Sequence, residues 1–120
     1  MNPAAQAPDT APGVVFHVLT PEAARTVLRN VINLRAVLGE NTPVEVIAQG
    51  AGLELVLQAS AAAPELAQLM GAGVGFAACR NSLHSRGLNP AGLTPGVAVV
   101  PAGVARAAQL QWRGYACIRP

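Results

Sequence analysis

Cys79 is followed directly by Arg80, Asn81 and Ser82, with His84 a little further on. A thiol in such company can serve as a nucleophile, because the thiolate is the reactive form and nearby positive charge favours it. The preceding run GVGFAA, residues 73–78, is apolar and uncharged, so the cysteine stands at the seam between a buried segment and a polar one. A cysteine at a strand end and a helix start faces unpaired backbone N–H groups and the positive end of the helix dipole, and both stabilise thiolate over thiol. Moving a thiol pKa from about 8.5 to about 7 raises the thiolate fraction at neutral pH from about 3% to about half. The competing reading is that Cys79 is a small apolar residue closing a sheet, since free cysteine is among the most buried residue types. Position in the sequence leaves the two readings level.

The other residues with chemical potential carry less. Cys117 falls inside the run YACI, residues 115–118, and reads as core packing. The two cysteines lie far apart without CxxC spacing, so a dithiol redox pair has nothing to assemble it, and two histidines do not complete a zinc set. His17, inside VVFHVL, reads as a satisfied core histidine, and His84 as a solvated one. Glu22, Glu40, Glu45, Glu54 and Glu65 show no pairing at acid/base spacing, which argues against glycosidase and two-metal chemistry. Gly73, Gly75 and Ala78 match GxGxxA but form the strand itself, whereas a dinucleotide fingerprint follows a strand and opens a helix. The QGAG run, Gln49 to Gly52, is better placed to bring backbone N–H groups to an anion. A tight turn explains the same residues. Neither a cofactor nor a metal is expected.

These residues must be positioned by a single domain, since 120 residues leave no room for two. Hydrophobic residues make up 52% and charged ones 12%; a surface so sparsely charged favours self-association into an oligomer. All eight basic residues are arginine, which removes Schiff-base lysine chemistry and a Walker lysine together. With a net charge of +2, scattered arginines and four aromatics (Phe16, Phe76, Trp112 and Tyr115), no phosphate-tracking stripe or base-stacking platform emerges, and nucleic acid is not an expected partner. No apolar stretch reaches the roughly 18 residues of a membrane span. The two unpaired-looking cysteines suit a reducing cytoplasm. Residues 1–13, MNPAAQAPDTAPG, lack a basic segment followed by an apolar one and read as a disordered tail, not a signal peptide.

From residue 14 to residue 120, strand and helix patterns alternate. Strands are expected at Val14 to Leu19, Val44 to Ala48, the VGFAA run into Cys79, Val97 to Val100, and Tyr115 to Ile118. Between the first two lies a helix with Thr20 as cap, Pro21 at its first position, Glu22 at the positive end of its dipole and Gly39 at its stop. Val27, Leu28, Val31, Leu34, Val37 and Leu38 form its apolar stripe. A compact helix with Pro64 near its start, a polar helix of about two turns after Cys79, and a helix within PAGVARAAQLQWRG complete the set, while LELVLQ is ambiguous. Continuous apolar strands alternating with helices argue for a parallel sheet covered on both faces. In such sheets function gathers at the carboxyl ends of the strands, where Cys79 sits.

Taken in order, the first strand with LRNVINLRAVLG, then VEVIAQGAGLELV, GVGFAACRNSL, LTPGVAVVPAGVARAAQLQ and the closing GYACIRP resemble the DsrE/DsrF-like family of intracellular sulfur oxidation and sulfur relay proteins. The resemblance covers residues 14 to 120. It implies a three-layer α/β/α sandwich around a five-stranded parallel sheet, assembly into homotrimers or hexamers, and sulfane sulfur carried as a persulfide on the cysteine matching Cys79, between a protein donor and a protein acceptor. The match concerns Cys79 alone. Arg80, Asn81, His84, Gln49 and Gly50 are candidate supporting residues by their neighbourhood. The alternative is a non-catalytic homo-oligomer of the same family that binds a small ligand or a protein in the cleft around Cys79 and QGAG.

Overall fold

The computed structural model describes residues 12–120; the expected disordered tail therefore lies outside the described residues except for Pro12 and Gly13. Those two belong to the folded body: Gly13 is buried beneath the Tyr115 ring, and its carbonyl accepts from the Ala116 N–H at 3.0 Å. The chain then runs β1 (Val14–Val18), α1 (Pro21–Leu38), β2 (Val44–Ala48), a 3-10 helix (Gly50–Val56), α2 (Ala63–Gly71), β3 (Gly75–Cys79), α3 (Arg80–Ser85), a 3-10 turn (Pro90–Gly92), β4 (Ala98–Val100), α4 (Gly103–Trp112) and β5 (Ala116–Ile118).

All five strands are parallel, in the order β4-β3-β2-β1-β5. From β1 to β4 each strand is laid beside the last in one direction, whereas β5 returns past all of them to the far side of β1. Because parallel crossovers are right-handed, the first three connections fall on one face of the sheet and the fourth, α4, on the other. The expected sandwich follows from this order.

Side-chain alternation divides the core accordingly. Val14, Phe16, Val18, Val46, Ala48, Phe76 and Ala78 face α1 and the 3-10 helix, where Val27, Leu28, Val31, Leu53 and Val56 meet them. Val15, Ile47 and Ala77 point the other way, against Ala107 and Leu110 of α4. The second cluster is much the smaller, since one ten-residue helix supplies its cover.

Helix α1 begins as its sequence demands. The Thr20 hydroxyl accepts from the Ala23 N–H at 3.1 Å, Pro21 takes the first turn, and Gly39 ends the helix with φ 111. Its apolar stripe stops early: Val37 is 83% exposed and Leu38 is half-exposed, while Arg35 is buried. Arg35 earns its place by donating from Nη1 to the Ala72 carbonyl at 2.8 Å, joining α1 to the turn after α2. The expectation for Cys117 also fails, since it is exposed with both its β5 neighbours. That strand is a three-residue edge that the small α4 does not cover. Among the described residues no helix is long and apolar enough to cross a membrane.

Candidate functional site

Strand β3 ends on Cys79, which doubles as the residue before the first turn of α3. The next strand in the sheet, β4, is followed by α4 on the opposite face. The chain thus leaves two adjacent strand ends in opposite directions, the arrangement that forms a crevice in open α/β sheets. This is the topological switch point at which open α/β sheets present ligands and reactive groups.

Cys79 lies at that point, 3% exposed. Burial of its sulfur raises the thiol pKa, but the Ser82 hydroxyl and the backbone N–H groups of Gly103, Ser82 and Asn81 outweigh that effect and hold the thiol below its ordinary value. By strict hydrogen-bond geometry the side chain does not cap α3 in the manner of a serine or aspartate. The four donors act as a cluster around a large, diffuse acceptor.

Each donor is itself fixed. The Ser82 Oγ accepts from the Gly50 N–H at 2.8 Å, which leaves the hydroxyl proton free to point at sulfur. Gly50 reaches that position with φ 58, a left-handed conformation that glycine adopts without penalty. Gly103 starts α4 so close to its neighbours that a Cβ built there would lie 2.6 Å from Gln49 Oε1, 3.1 Å from Ile47 Cγ2 and 3.4 Å from Cys79 Cβ. Any side chain at 103 would separate the α4 backbone from the sulfur.

Gln49 follows β2, and its Oε1 lies 2.8 Å from His17 Nε2. An amide oxygen only accepts, so the contact is a hydrogen bond in the tautomer that carries the imidazole proton on Nε2. His17 is 2% exposed. It is the satisfied core histidine expected, but its partner belongs to the crevice. His17, Gln49 and Cys79 share one face because they extend the Val15, Ile47 and Ala77 alternation toward the strand ends.

The remaining candidates stand apart. Arg80 and His84 are exposed on α3, and neither contributes to the lowered pKa of Cys79; Asn81 acts through its backbone, its side chain being exposed. Ser82 and Gly103 were not singled out in the sequence. Ser82 lies three residues after the cysteine, the spacing at which a side chain returns over the first helical turn, and that spacing was the available signal. Gly103 had only its place at a helix start to commend it.

Two grooves lie elsewhere, and neither is lined by Cys79. One, of about 560 Å³, runs between α1 and the segment before α2, past Arg25, Arg29, Glu54 and Glu65. The other, of about 570 Å³, lies beneath α4 along Phe76, Ala98 and Val100. There Arg106 grips Glu45 through Nε and Nη2, both at 2.8 Å, and this hydrogen-bonded partner raises the arginine pKa. Among the described residues no group of three His, Cys, Asp or Glu side chains forms a metal site.

A parallel five-stranded sandwich with a hydrogen-bonded cysteine at its switch point defines the class of molecule. The chain belongs to the DsrE/DsrF-like family, whose model matches residues 14–120. It is similar in structure to MTH1491 from Methanobacterium thermoautotrophicum, a protein of unknown function, with 35% identity, a TM-score of 0.84, and coverage of 89% of this chain and 97% of that one. The ychN protein from E. coli shares the fold at 18% identity and a TM-score of 0.74, over 90% of this chain and 99% of its own. BT1422 from Bacteroides thetaiotaomicron, of unknown function, does so at 20% identity and 0.64, over 88% and 93%. No curated protein gives a match to the sequence.

Proposed function

We propose that the protein is a sulfur carrier that holds sulfane sulfur as a persulfide on Cys79. The observation that carries this reading is the cluster of four donors around a buried thiol whose pKa they lower, together with membership of the DsrE/DsrF-like family. A sulfur surrounded by N–H and O–H donors is stabilised as an anion, whether it is the resting thiolate or an ionised persulfide. In the loading step the Cys79 thiolate attacks the outer sulfur of a donor persulfide. A new S–S bond forms at Cys79, the donor S–S bond breaks, and its electron pair leaves on the donor's inner sulfur as a thiolate. Delivery to an acceptor thiol is the same exchange in reverse order, so no oxidant, reductant, metal or cofactor is consumed.

Burial of Cys79 restricts the partners. A thiol only 3% exposed at a strand end is best reached by a persulfide carried on a projecting cysteine of a protein donor, and the acceptor must be equally slender. We place the exchange in the cytoplasm, in a homo-oligomer such as a trimer or hexamer; the low charge and the exposed Val104 and Trp112 on α4 support self-association.

Intact mass spectrometry after exposure to a protein persulfide tests the assignment. Wild type and Cys117→Ser should each gain one sulfur and Cys79→Ser none. A folded wild-type protein that gains no sulfur would overturn the carrier reading in favour of a binding oligomer.

A further inference from the structure

The carrier chemistry leaves the Gln49 amide nitrogen without a task. Gln49 Oε1 is engaged by His17 Nε2 at 2.8 Å, while among the described residues its amide nitrogen has no hydrogen-bond partner. That nitrogen is not a fully buried atom left without a partner, and Gln49 is part-exposed beside Cys79, one step beyond the Ala48–Ala78 pair of β2 and β3. The point where a Cβ of Gly103 would stand is 2.6 Å from Gln49 Oε1 and 3.4 Å from Cys79 Cβ, so the amide and the cysteine flank a single residue. Alternation along β2 and β3 places both on the same face.

We infer that Gln49 is a catalytic hydrogen-bond donor at the mouth of the crevice, with His17 as its positioning residue, and that it serves the sulfur of the incoming partner and not that of Cys79. This inference rests on the carrier reading for the identity of that partner. In the loading step negative charge leaves Cys79 Sγ and appears on the donor's inner sulfur, which is further from the four donors around Sγ. The Gln49 N–H2 group stands on the approach side and donates to this departing thiolate. On delivery it meets the acceptor's attacking thiolate in the same place.

His17 makes the arrangement one-sided. A free glutamine amide presents its oxygen or its nitrogen with little preference, and an oxygen facing a thiolate would repel it. The buried imidazole in the Nε2–H tautomer holds the oxygen inward, which leaves the nitrogen outward. Gln49 thereby selects anionic sulfur over neutral groups, without a formal charge that would also hold the product.

The test uses the Cys117→Ser protein, in which only Cys79 is alkylated, and compares anionic iodoacetate with neutral iodoacetamide. Their rate ratio at one pH cancels the thiolate fraction and reads the charge preference of the crevice mouth. Gln49→Glu should lower the iodoacetate to iodoacetamide ratio about tenfold, as expected for a carboxylate a few ångströms from the reagent. His17→Leu should lower it about threefold, and His17→Gln, which keeps a donor near the Nε2 position, should restore it. Sulfur uptake from a protein persulfide should slow in Gln49→Leu and Gln49→Glu with their melting temperatures near that of the parent. An unchanged ratio in folded Gln49→Glu overturns the inference while leaving sulfur uptake by the parent intact. A shifted ratio in a protein that takes up no sulfur upholds the donor and overturns the carrier reading alone.

Discussion

Ser82→Ala isolates the side-chain donor to Cys79. In the native site the Ser82 Oγ accepts from the Gly50 N–H at 2.8 Å and is among the donors that lower the cysteine pKa. A hydrogen bond to a charged group contributes about 1.5–3 kcal/mol, and sulfur, a diffuse acceptor, belongs at the lower end. Since about 1.4 kcal/mol corresponds to one pKa unit, the thiol should titrate about one unit higher in the variant. Iodoacetamide alkylation of the Cys117→Ser protein across pH reads this directly as a displaced inflection. Stability gives a second reading. A thiol whose folded pKa is depressed binds fewer protons in the folded state than in the unfolded one, so its contribution rises with pH from the folded pKa toward about 8.5 and is lost as pH falls through the folded pKa. The stability difference between the parent and Cys79→Ser should therefore grow with pH over that window, and Ser82→Ala should flatten the growth. The Gly50 N–H loses its acceptor at every pH, at a cost of about 1 kcal/mol. An alkylation inflection that stays in place in a folded Ser82→Ala protein would refute the reasoning, because the hydroxyl would then not act on the sulfur.

Gly103→Ala should destabilise the protein by about 1–2 kcal/mol, against the helix propensity of alanine, because the added methyl drives the Gln49 amide off its place beside His17; a lower urea midpoint with an unchanged slope checks this. The same variant should raise the Cys79 alkylation inflection, since its α4 backbone N–H moves away from the sulfur. Arg80→Ala should leave that inflection within about 0.3 units, because the side chain is exposed and its charge is screened by water and salt. A rise of a full unit in Arg80→Ala would mean that a cation, and not the donor cluster, sets the reactivity of Cys79.

The fold was legible because its signals are local and agree with one another. Thr20, Pro21 and Gly39 mark the ends of α1 without reference to the rest of the molecule, and the run FAAC, residues 76–79, is apolar on both faces because both faces are covered. What misled was the assumption that an apolar residue at the right spacing is inside. Val37 and Leu38 continue the stripe of α1 beyond the sheet, and the helix turns Arg35 inward instead, where two backbone carbonyls, Thr42 and Ala72, are within its reach. Cys117 lies in a strand, but at an edge whose cover depends on which helix returns over it. The cysteine of the site was visible from its position at a strand-to-helix seam. Ser82, Gly103 and His17 were not, because their roles depend on distances between elements far apart in sequence. Parity held a partial clue: His17 shares a face with Val15, and Gln49 with Ile47, so the histidine had to point toward the helix that follows β4.

The return of the chain from β4 to β5 gives the site its second helix start. If α4 had crossed on the same face as α1, the end of β3 would carry only the donors of its own short helix, and Gly103 would stand far from the sulfur. Crossing instead on the thin face brings a second helix start against Cys79, and it does so over the smaller apolar cluster of Val15, Ile47, Ala77, Ala107 and Leu110. Polar groups are best accommodated there, because His17 and Gln49 can satisfy each other at its margin while displacing little apolar packing. The large cluster on the α1 face has no such margin at the sheet centre, where Val18, Val46 and Ala48 are fully buried. The division of labour between the two faces thus follows from a single reversal in strand order. One face supplies most of the packing, and the starts of α3 and α4, on opposite faces, together ring the sulfur with hydrogen-bond donors.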